Sequence, residues 1–298
     1  MHISYVVLLA GVLGAAAHPS GHAHLHRSVH EKRAGRPKFY KAIHHSPIPI
    51  PTTTSVPEPE PTTAETKAEP TKPAAPTTPA TDAAGDAGGD EMIPFCAGKK
   101  AKRVTEAQVM YTGNLGECGY NANIMVVPNK IAHHYDYVQT YTNVDSTEYE
   151  VSCSNKMGPD GKLTGMFSVN APQHVKFKLA PGEKKTVVVQ ANTQAICAFS
   201  KGSIPTTPWG QLAGNWVETD SGNTSNGGWS GADCSSLVPQ HYNMDVPGCS
   251  VCSAGTCSNI FPGGHGVNAY TKGMEELDGI GLNIPAGPYT MDVKVGFH

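Results

Sequence analysis

The amino-acid sequence predicts an all-β fold: a disulfide-stabilised β-sandwich with long loops, preceded by a disordered stalk rich in proline and threonine. Three observations support this prediction. Short segments after residue 94 alternate between apolar and polar residues with a period of two. Turn sequences containing glycine and proline separate these segments. All eight cysteines of the 298-residue chain lie in the same region.

The individual strands are predicted from their patterns. In the segment 174–179, Val175, Phe177 and Leu179 alternate with polar residues, and the segment 289–297 has an apolar residue at every second position. This alternation is typical of a strand with one buried face. Further apolar segments also predict strands: 109–111, 124–127, 135–142, 147–153 and 186–190. Many short strands at this spacing indicate a sandwich or a barrel.

Residues 1–17 have the pattern of a secretory signal peptide. The apolar run 5–17 ends in small side chains, and it is too short to cross a hydrocarbon core of about 30 Å as a helix. Cleavage is expected after Ala17. The sequence therefore predicts a secreted, extracellular protein.

Residues 18–33 predict a histidine-rich pro-segment. The segment ends at a Lys-Arg pair of the kind that secretory proteases cut, so processing is expected after Arg33. The alternative is a transition-metal site, since neutral imidazole is a good ligand. Five histidines would supply it: His18, His22, His24, His26 and His30. The pro-segment is the favoured interpretation.

Residues 34–93 predict a disordered stalk. The part from Ser46 to Asp90 contains ten prolines but only one valine and two isoleucines. Such a segment cannot bury enough apolar surface to offset its loss of chain entropy. Dense threonine also predicts O-glycosylation. The folded domain is then expected to span residues 94–298.

The cysteines predict up to four structural disulfides. An even set confined to the globular part of an exported chain is typical of a disulfide framework. The residues are Cys96, Cys118, Cys153, Cys197, Cys234, Cys249, Cys252 and Cys257. Their pairing is left open. A zinc site or a redox pair at Cys249-x2-Cys252 is the alternative, and export favours disulfides.

The segment 209–233 carries the candidate ligand-binding residues Trp216, Trp229, Asp220 and Asp233, and is expected to be mostly loop. An exposed aromatic ring can stack on the face of a sugar while nearby carboxylates bind its hydroxyls. The alternative is that the tryptophans pack against the core beneath a long loop. Glu218 lies in the same segment as Asp220 and Asp233, and a pair of these carboxylates could act in glycoside cleavage.

The sequence gives little support for a catalytic site or a metal site. It contains no motif for a nucleophile elbow, a metalloprotease or a phosphate loop, so no catalytic residue is assigned. His133 and His134 have no further ligand at a diagnostic spacing, and no metal or cofactor is predicted. The sequon at Asn223 is expected to lie in a loop and to carry a glycan. A net charge of −3 predicts neither a nucleic-acid nor a membrane partner.

Four segments resemble the secreted fungal allergen family typified by the Asp f four allergen. They are YTGNLG at 111–116, NKMGPDGKLTG at 155–165, GGWSGADCSSL at 227–237 and DGIG…PAGP at 278–288. The resemblance covers essentially the whole domain, although the cysteine count departs from the family. It implies an extracellular fungal protein recognised by IgE antibodies, and it implies no established reaction.

The hairpin at 177–189 is also similar to thaumatin-type sandwiches, which would imply a cleft associated with β-glucan binding. Together these features predict a secreted, allergen-like fungal protein of the extracellular space or cell wall, without catalysis. One alternative is a module that binds a cell-wall polysaccharide, β-glucan or chitin, or hydrolyses it weakly. The other is an effector that acts on a host protein.

Overall fold

The computed structural model describes residues 90–97 and 112–298. The predicted signal peptide (1–17), the pro-segment (18–33) and nearly all of the stalk (34–93) lie outside the described residues, as does the predicted strand at 109–111. No helix in the described part of the chain is long and apolar enough to cross a membrane.

The described residues form two β-sheets, and the predicted all-β sandwich is confirmed. The strands are β1 (Ile124–Val127), β2 (Tyr137–Asn143), β3 (Tyr149–Asn155), β4 (Val175–Leu179), β5 (Lys184–Val189), β6 (Thr193–Lys201), β7 (Asn215–Asn223), β8 (Trp229–Ser235), β9 (Cys249–Ser253), β10 (Thr256–Ile260), β11 (Gly266–Val267), β12 (Leu282–Ile284) and β13 (Tyr289–Val295). Among the described helices, α1 (Leu237–His241) is α-helical, and the 3-10 helices are Asn129–His134, Ser168–Gln173 and Thr224–Asn226.

The first sheet has the strand order β1-β5-β2-β13-β9-β10-β11, and the second has the order β12-β8-β7-β6-β3-β4. Neighbouring strands run antiparallel. The exception is β2 with β13, which pair in parallel from Tyr137 opposite Tyr289 to Asn143 opposite Val295. The last strand of the domain therefore lies in the middle of the first sheet, so this sheet is completed only by the end of the chain.

The main hydrophobic core lies between the two sheets. Strand β13 buries Tyr289, Met291, Val293 and Val295 and exposes the residues between them, as its alternation predicts. Strand β4 follows the same rule, with its second and fourth residues exposed. Facing residues from the second sheet, such as Phe199, complete the core.

The second sheet is buried on both of its faces at its centre. Strand β7 is buried at every position, and β6 at every position except the last. Trp216 and Ile196 lie on the outer face, in a second apolar cluster with Met166 and Leu212 from the covering loops. The prediction that 209–233 is mostly loop is therefore wrong, because β7 and β8 occupy much of it. The polar, glycine-rich composition hides these strands, since tertiary burial outweighs local propensity.

The four disulfides among the described residues use all eight cysteines, which confirms the predicted framework. Cys153–Cys197 joins directly opposite residues of β3 and β6, and Cys252–Cys257 closes the β9–β10 hairpin. Cys234–Cys249 connects β8 of the second sheet to β9 of the first. Cys96–Cys118 ties the segment 90–97 to the domain. Cys249 and Cys252 belong to different disulfides, so the zinc and redox alternatives do not apply.

Removal of the disulfide between the sheets is expected to cost more stability than removal of the hairpin disulfide. Cys234–Cys249 spans 15 residues and Cys252–Cys257 spans 5. The chain-entropy relation gives about 3 kcal/mol for the longer loop and about 2 kcal/mol for the shorter one. Replacing each pair by alanine and measuring denaturant unfolding tests this order. Equal losses, or no loss, would contradict the role given to the disulfide between the sheets.

Candidate functional site

The structure does not bring the predicted tryptophans together on one surface. Trp216 is 5% exposed, and its Nε1 donates to the carbonyl of Leu212 at 3.2 Å, so it follows the core-packing alternative. Trp209 and Trp229 are 54% and 39% exposed. Trp209 lies in the loop before β7, and Trp229 begins β8. Because Trp216 is buried, it does not form a stacking platform with Trp229.

The acids of the same segment form a buried cluster on the outer face of the second sheet. Glu218 and Asp233 are opposite each other on β7 and β8, and Asp220 follows two residues after Glu218 on the same face. All three are between 1% and 4% exposed. Lys156, the first residue after β3, forms an ion pair with Glu218 at 2.9 Å, and both side chains are buried. The cluster therefore contains three carboxyl groups and one ammonium group.

The burial of these acids favours their neutral forms. Burial, followed by the negative charge of Glu218, raises the pKa of Asp233 well above its ordinary value. Burial also raises the pKa of Asp220 to about 6, although the amide of Asn223 and the charge of Lys156 act in the opposite direction. A single lysine cannot compensate three carboxylates in a buried site, so protons take up part of the charge. Burial therefore favours the protonated form of Asp233 more strongly than that of an exposed aspartate.

Raised carboxyl pKa values next to an ionised acid are also a feature of glycosidase active sites. In those enzymes, the scissile bond must reach the space between the two carboxyl groups. Here Glu218 and Asp233 are covered, and Tyr270, whose own pKa is raised by burial and by Asp233, is also buried. The described residues leave no route for a sugar chain to these acids. The cluster therefore acts as a buried polar network of the fold.

The sequon asparagine takes part in the same network. Asn223 is 0% exposed, and its Nδ2 donates to the Asp220 carboxylate at 2.5 Å. Its Oδ1 accepts hydrogen bonds from the backbone N–H and hydroxyl of Ser225. An N-linked glycan would be attached to the buried Nδ2. The expected loop position of Asn223 is therefore wrong, because Asn223 ends β7 and its Nδ2 is buried against Asp220.

An open pocket of about 660 Å³ lies elsewhere, beside the ends of β1, β2 and β5. Its walls combine the aromatic side chains of Phe95, Tyr135 and Tyr137 with amide and carboxylate side chains. These polar residues are Asn114, Glu117, Asp136, Gln190 and Asn192. Among the described residues that line it, Glu117 and Asp136 carry a negative charge, and none is a lysine, arginine or histidine.

Two local features hold the pocket in shape. Asn114 joins its segment to the end of β5, since its backbone N–H donates to Asn192 at 2.6 Å and its Nδ2 donates to Gln190 Oε1 at 3.0 Å. The preceding Gly113 has φ +71°, and a Cβ there would lie 2.9 Å from the Asn192 carbonyl. On the other side, the hydroxyl of Tyr135 bonds both backbone groups of Ile93. Together with Cys96–Cys118, this contact positions Phe95 at the wall.

Tyr137 lines the pocket and also packs against the main core. Its ring packs edge-on against Tyr289, with centroids 5.2 Å apart, and within the described residues its hydroxyl makes no hydrogen bond. A Cβ at Gly222 would lie 2.2 Å from this hydroxyl, so only glycine fits beside it. Asp136 and Glu117 are exposed and form no ion pair within the described part of the chain.

The sequence did not predict this pocket, although two of the segments that form its walls had been noted for another reason. Segments 111–116 and 155–165, on which the family resemblance rests, contribute Gly113–Gly116, Pro159 and Gly161 to the walls. The sequence feature that could have indicated the pocket is the glycine-rich composition of both segments. Their meeting could not be predicted, because the pocket combines residues that are distant along the chain.

The pH dependence of stability is expected to show the raised pKa of Asp220. In the folded state, its proton is retained up to a pH of about 6, whereas the unfolded chain loses it near 3.8. Stability from this group is therefore complete below the unfolded value and is lost as the pH rises through about 6. The difference corresponds to roughly 3 kcal/mol, at about 1.36 kcal/mol per pKa unit. Asp233 acts in the same direction, whereas His174, whose pKa is lowered by burial, acts in the opposite direction.

Urea unfolding of the wild type and of Asp220→Asn between pH 4 and 7 isolates this contribution. The variant is expected to lose about 2 kcal/mol less than the wild type over this range, because the unfolded chain is already partly ionised at pH 4. Asp292→Asn, at an exposed position of β13, is the matched control and should follow the wild type. Parallel curves for the wild type and Asp220→Asn would show that Asp220 does not bind the extra proton.

The buried position of Asn223 predicts that its sequon is not used. The protein produced in a glycosylating fungal host should have the same mass around Asn223 before and after treatment with peptide N-glycosidase. Peptide mass mapping measures this directly. A glycan on Asn223 would show that the side chain leaves the contact with Asp220.

Two solved structures show weak similarity to the chain. The protein elicitor MoHrip2 from Magnaporthe oryzae has a TM-score of 0.34 and 10% identity, and the match covers 54% of this chain and 99% of that chain. The thaumatin-like xylanase inhibitor TLXI also has a TM-score of 0.34 and 10% identity, with coverage of 53% and 97%. These scores are below the level that shows a common fold.

Two matches in sequence are stronger than these structural similarities. The curated protein "Allergen Asp f 4" of Aspergillus fumigatus is 31% identical over 193 residues, which is 63% of this chain and 59% of that protein. The match thus spans about three fifths of the relative's length. The family model described as "Allergen Asp f 4-like domain" matches residues 122–295, more than half of the chain. The protein therefore belongs to the family of Allergen Asp f 4-like domains, as its four resembling segments predicted.

Proposed function

We propose that this allergen-like fungal protein is secreted, that it acts in the extracellular space or the cell wall, and that it binds a wall glycan without cleaving it. The signal-peptide pattern of residues 1–17 and four disulfides support export. Recognition by IgE is proposed from the family alone. The observation that carries glycan binding is the aromatic and amide-lined pocket.

The composition of the pocket suits a sugar. Aromatic rings offer apolar faces to the C–H groups of a pyranose, and amide and carboxylate groups bind its hydroxyls. Among the described wall residues, the Asp136 and Glu117 carboxylates are exposed, and the Tyr137 hydroxyl makes no hydrogen bond within the described part of the chain. A volume of about 660 Å³ is within the ordinary range for small-molecule sites and accommodates a short oligosaccharide.

The charges of the described pocket residues restrict the class of ligand further. Glu117 and Asp136 are negative, and the described lining contains no cationic side chain. An acidic polysaccharide would be repelled, whereas a neutral or partly cationic polymer would not. β-Glucan and chitin meet this condition.

The position of the titrating acids supports binding without catalysis. A glycosidase needs a carboxylic acid that keeps its proton near the working pH and touches the substrate. The acids with a raised pKa, Asp220 and Asp233, lie in the covered cluster and do not line the pocket. The effector alternative gains no specific support from the geometry.

The test is binding of the secreted protein to soluble β-1,3-gluco-oligosaccharides and chito-oligosaccharides, with released sugar assayed in parallel. Tyr137→Phe removes one hydroxyl while keeping the ring against Tyr289, and Asp136→Asn removes one charge. Each is expected to weaken binding about fivefold, the effect of losing one hydrogen bond of about 1 kcal/mol. Trp229→Ala is the control, because its exposed ring lies outside the pocket lining.

The outcomes separate the parts of the proposal. Loss of binding in Trp229→Ala, with Tyr137→Phe unchanged, would move the glycan site to the tryptophan. Release of soluble sugar would overturn the assignment as a non-catalytic protein. The absence of binding to either series would remove the glycan and leave a protein partner.

A further inference from the structure

Three side chains with metal-binding groups meet at the surface next to the pocket. They are Asp90, His133 and His134. One ring nitrogen of each histidine and one carboxylate oxygen of Asp90 all lie within 4.8 Å of one another, and all three residues are exposed. His133 and His134 have no ligand partner nearby in the sequence, and Asp90 precedes His134 by 44 residues.

The local structure orients both imidazole rings. The histidines end the 3-10 helix Asn129–His134, and their ring centroids are 4.0 Å apart. Nδ1 of His133 hydrogen-bonds the Lys130 carbonyl at 2.9 Å, and Nε2 of His134 hydrogen-bonds the backbone carbonyl of Asp90 at 2.7 Å. A carbonyl can only accept, so each of these nitrogens carries the proton and the other nitrogen keeps its lone pair. This is how metal-binding histidines are usually held.

Asp90 is also held close to the histidines. Its backbone carbonyl bonds His134, and three residues later Ile93 bonds the Tyr135 hydroxyl through its N–H at 3.1 Å and its carbonyl at 2.7 Å. The T-shaped contact between Phe95 and Tyr135, with centroids 5.7 Å apart, continues this attachment. The carboxylate is therefore placed beside the two rings by several contacts that do not depend on a metal.

We propose that Asp90, His133 and His134 bind a divalent transition-metal ion of the Zn²⁺ type. Two imidazole nitrogens and one carboxylate oxygen are a donor set that suits such ions, and water completes the coordination. Ligand atoms about 2.1 Å from a tetrahedral ion are about 3.4 Å apart, so the three groups need to approach one another by at most about 1.4 Å. Because all three side chains are exposed, small side-chain rotations supply this movement.

A bound ion would connect the segment 90–97 to the 3-10 helix beside β2. That segment contributes Met92 and Phe95 to the wall of the pocket. The metal thus stabilises one wall of the pocket without touching its interior. Asp90, His133 and His134 are not among the described residues that line the pocket, so the metal site does not depend on the proposed glycan.

The test is isothermal titration of the full-length protein with ZnCl₂. The histidine-rich part of the chain would also bind Zn²⁺, so every variant is made in a background where its histidines are replaced by alanine. These are His18, His22, His24, His26, His30, His44 and His45. In this background, one Zn²⁺ is expected to bind, and Asp90→Asn and His134→Ala should each weaken it at least tenfold.

The matched controls are His241→Ala and His265→Ala, which remove exposed histidines elsewhere and should leave the affinity unchanged. A second measurement uses Cu²⁺ and electron paramagnetic resonance, which should detect two coordinating nitrogens in the background protein and one in His133→Ala. Thermal unfolding without metal checks that the variants fold. No Zn²⁺ binding in the background, or an equal loss in the controls, would overturn the proposal.

Discussion

The architecture of this domain depends on the burial of β6 and β7 on both faces. One face forms the core between the sheets, and the other is covered by loops. A polar side chain on these strands must therefore find its partners inside the protein, because an unpaired buried polar group is costly. Glu218 meets this demand with Lys156, and Asp220 with Asn223. For Asp233, burial shifts the equilibrium towards the neutral form, which is less costly to bury than a carboxylate.

This constraint also separates two kinds of polar group that look alike in the sequence. Glu218, Asp220 and Asp233 lie in the interior, and burial raises the pKa of Asp220 and of Asp233. The groups that remain available to a ligand lie instead at the ends of β1, β2 and β5, where the chain leaves the sheet. Functional groups need solvent access as well as suitable chemistry, and only the second set has both.

The segment 90–97 has more influence than its length indicates. A disulfide, the bonds to Tyr135 and the bond from His134 attach it to the domain, and it supplies part of the pocket wall. The contacts are individually small, and a metal ion at Asp90 and the two histidines would add a stronger one. The pocket and the metal site thus share a structural element while having separate chemistry.

Local patterns in the sequence were enough to predict the all-β class, the disulfide framework, the family and several strands. Alternation in β13 and β4 is a local consequence of one buried face, so it can be read directly. Alternation could not predict β7 and β8, because strands that are buried on both faces and rich in polar residues do not show it. Nor could it pair the cysteines, place Trp216 in the core or bring Asp90 to His134. Each of these depends on contacts between residues far apart in the chain, and only the tertiary structure decides which of them meet.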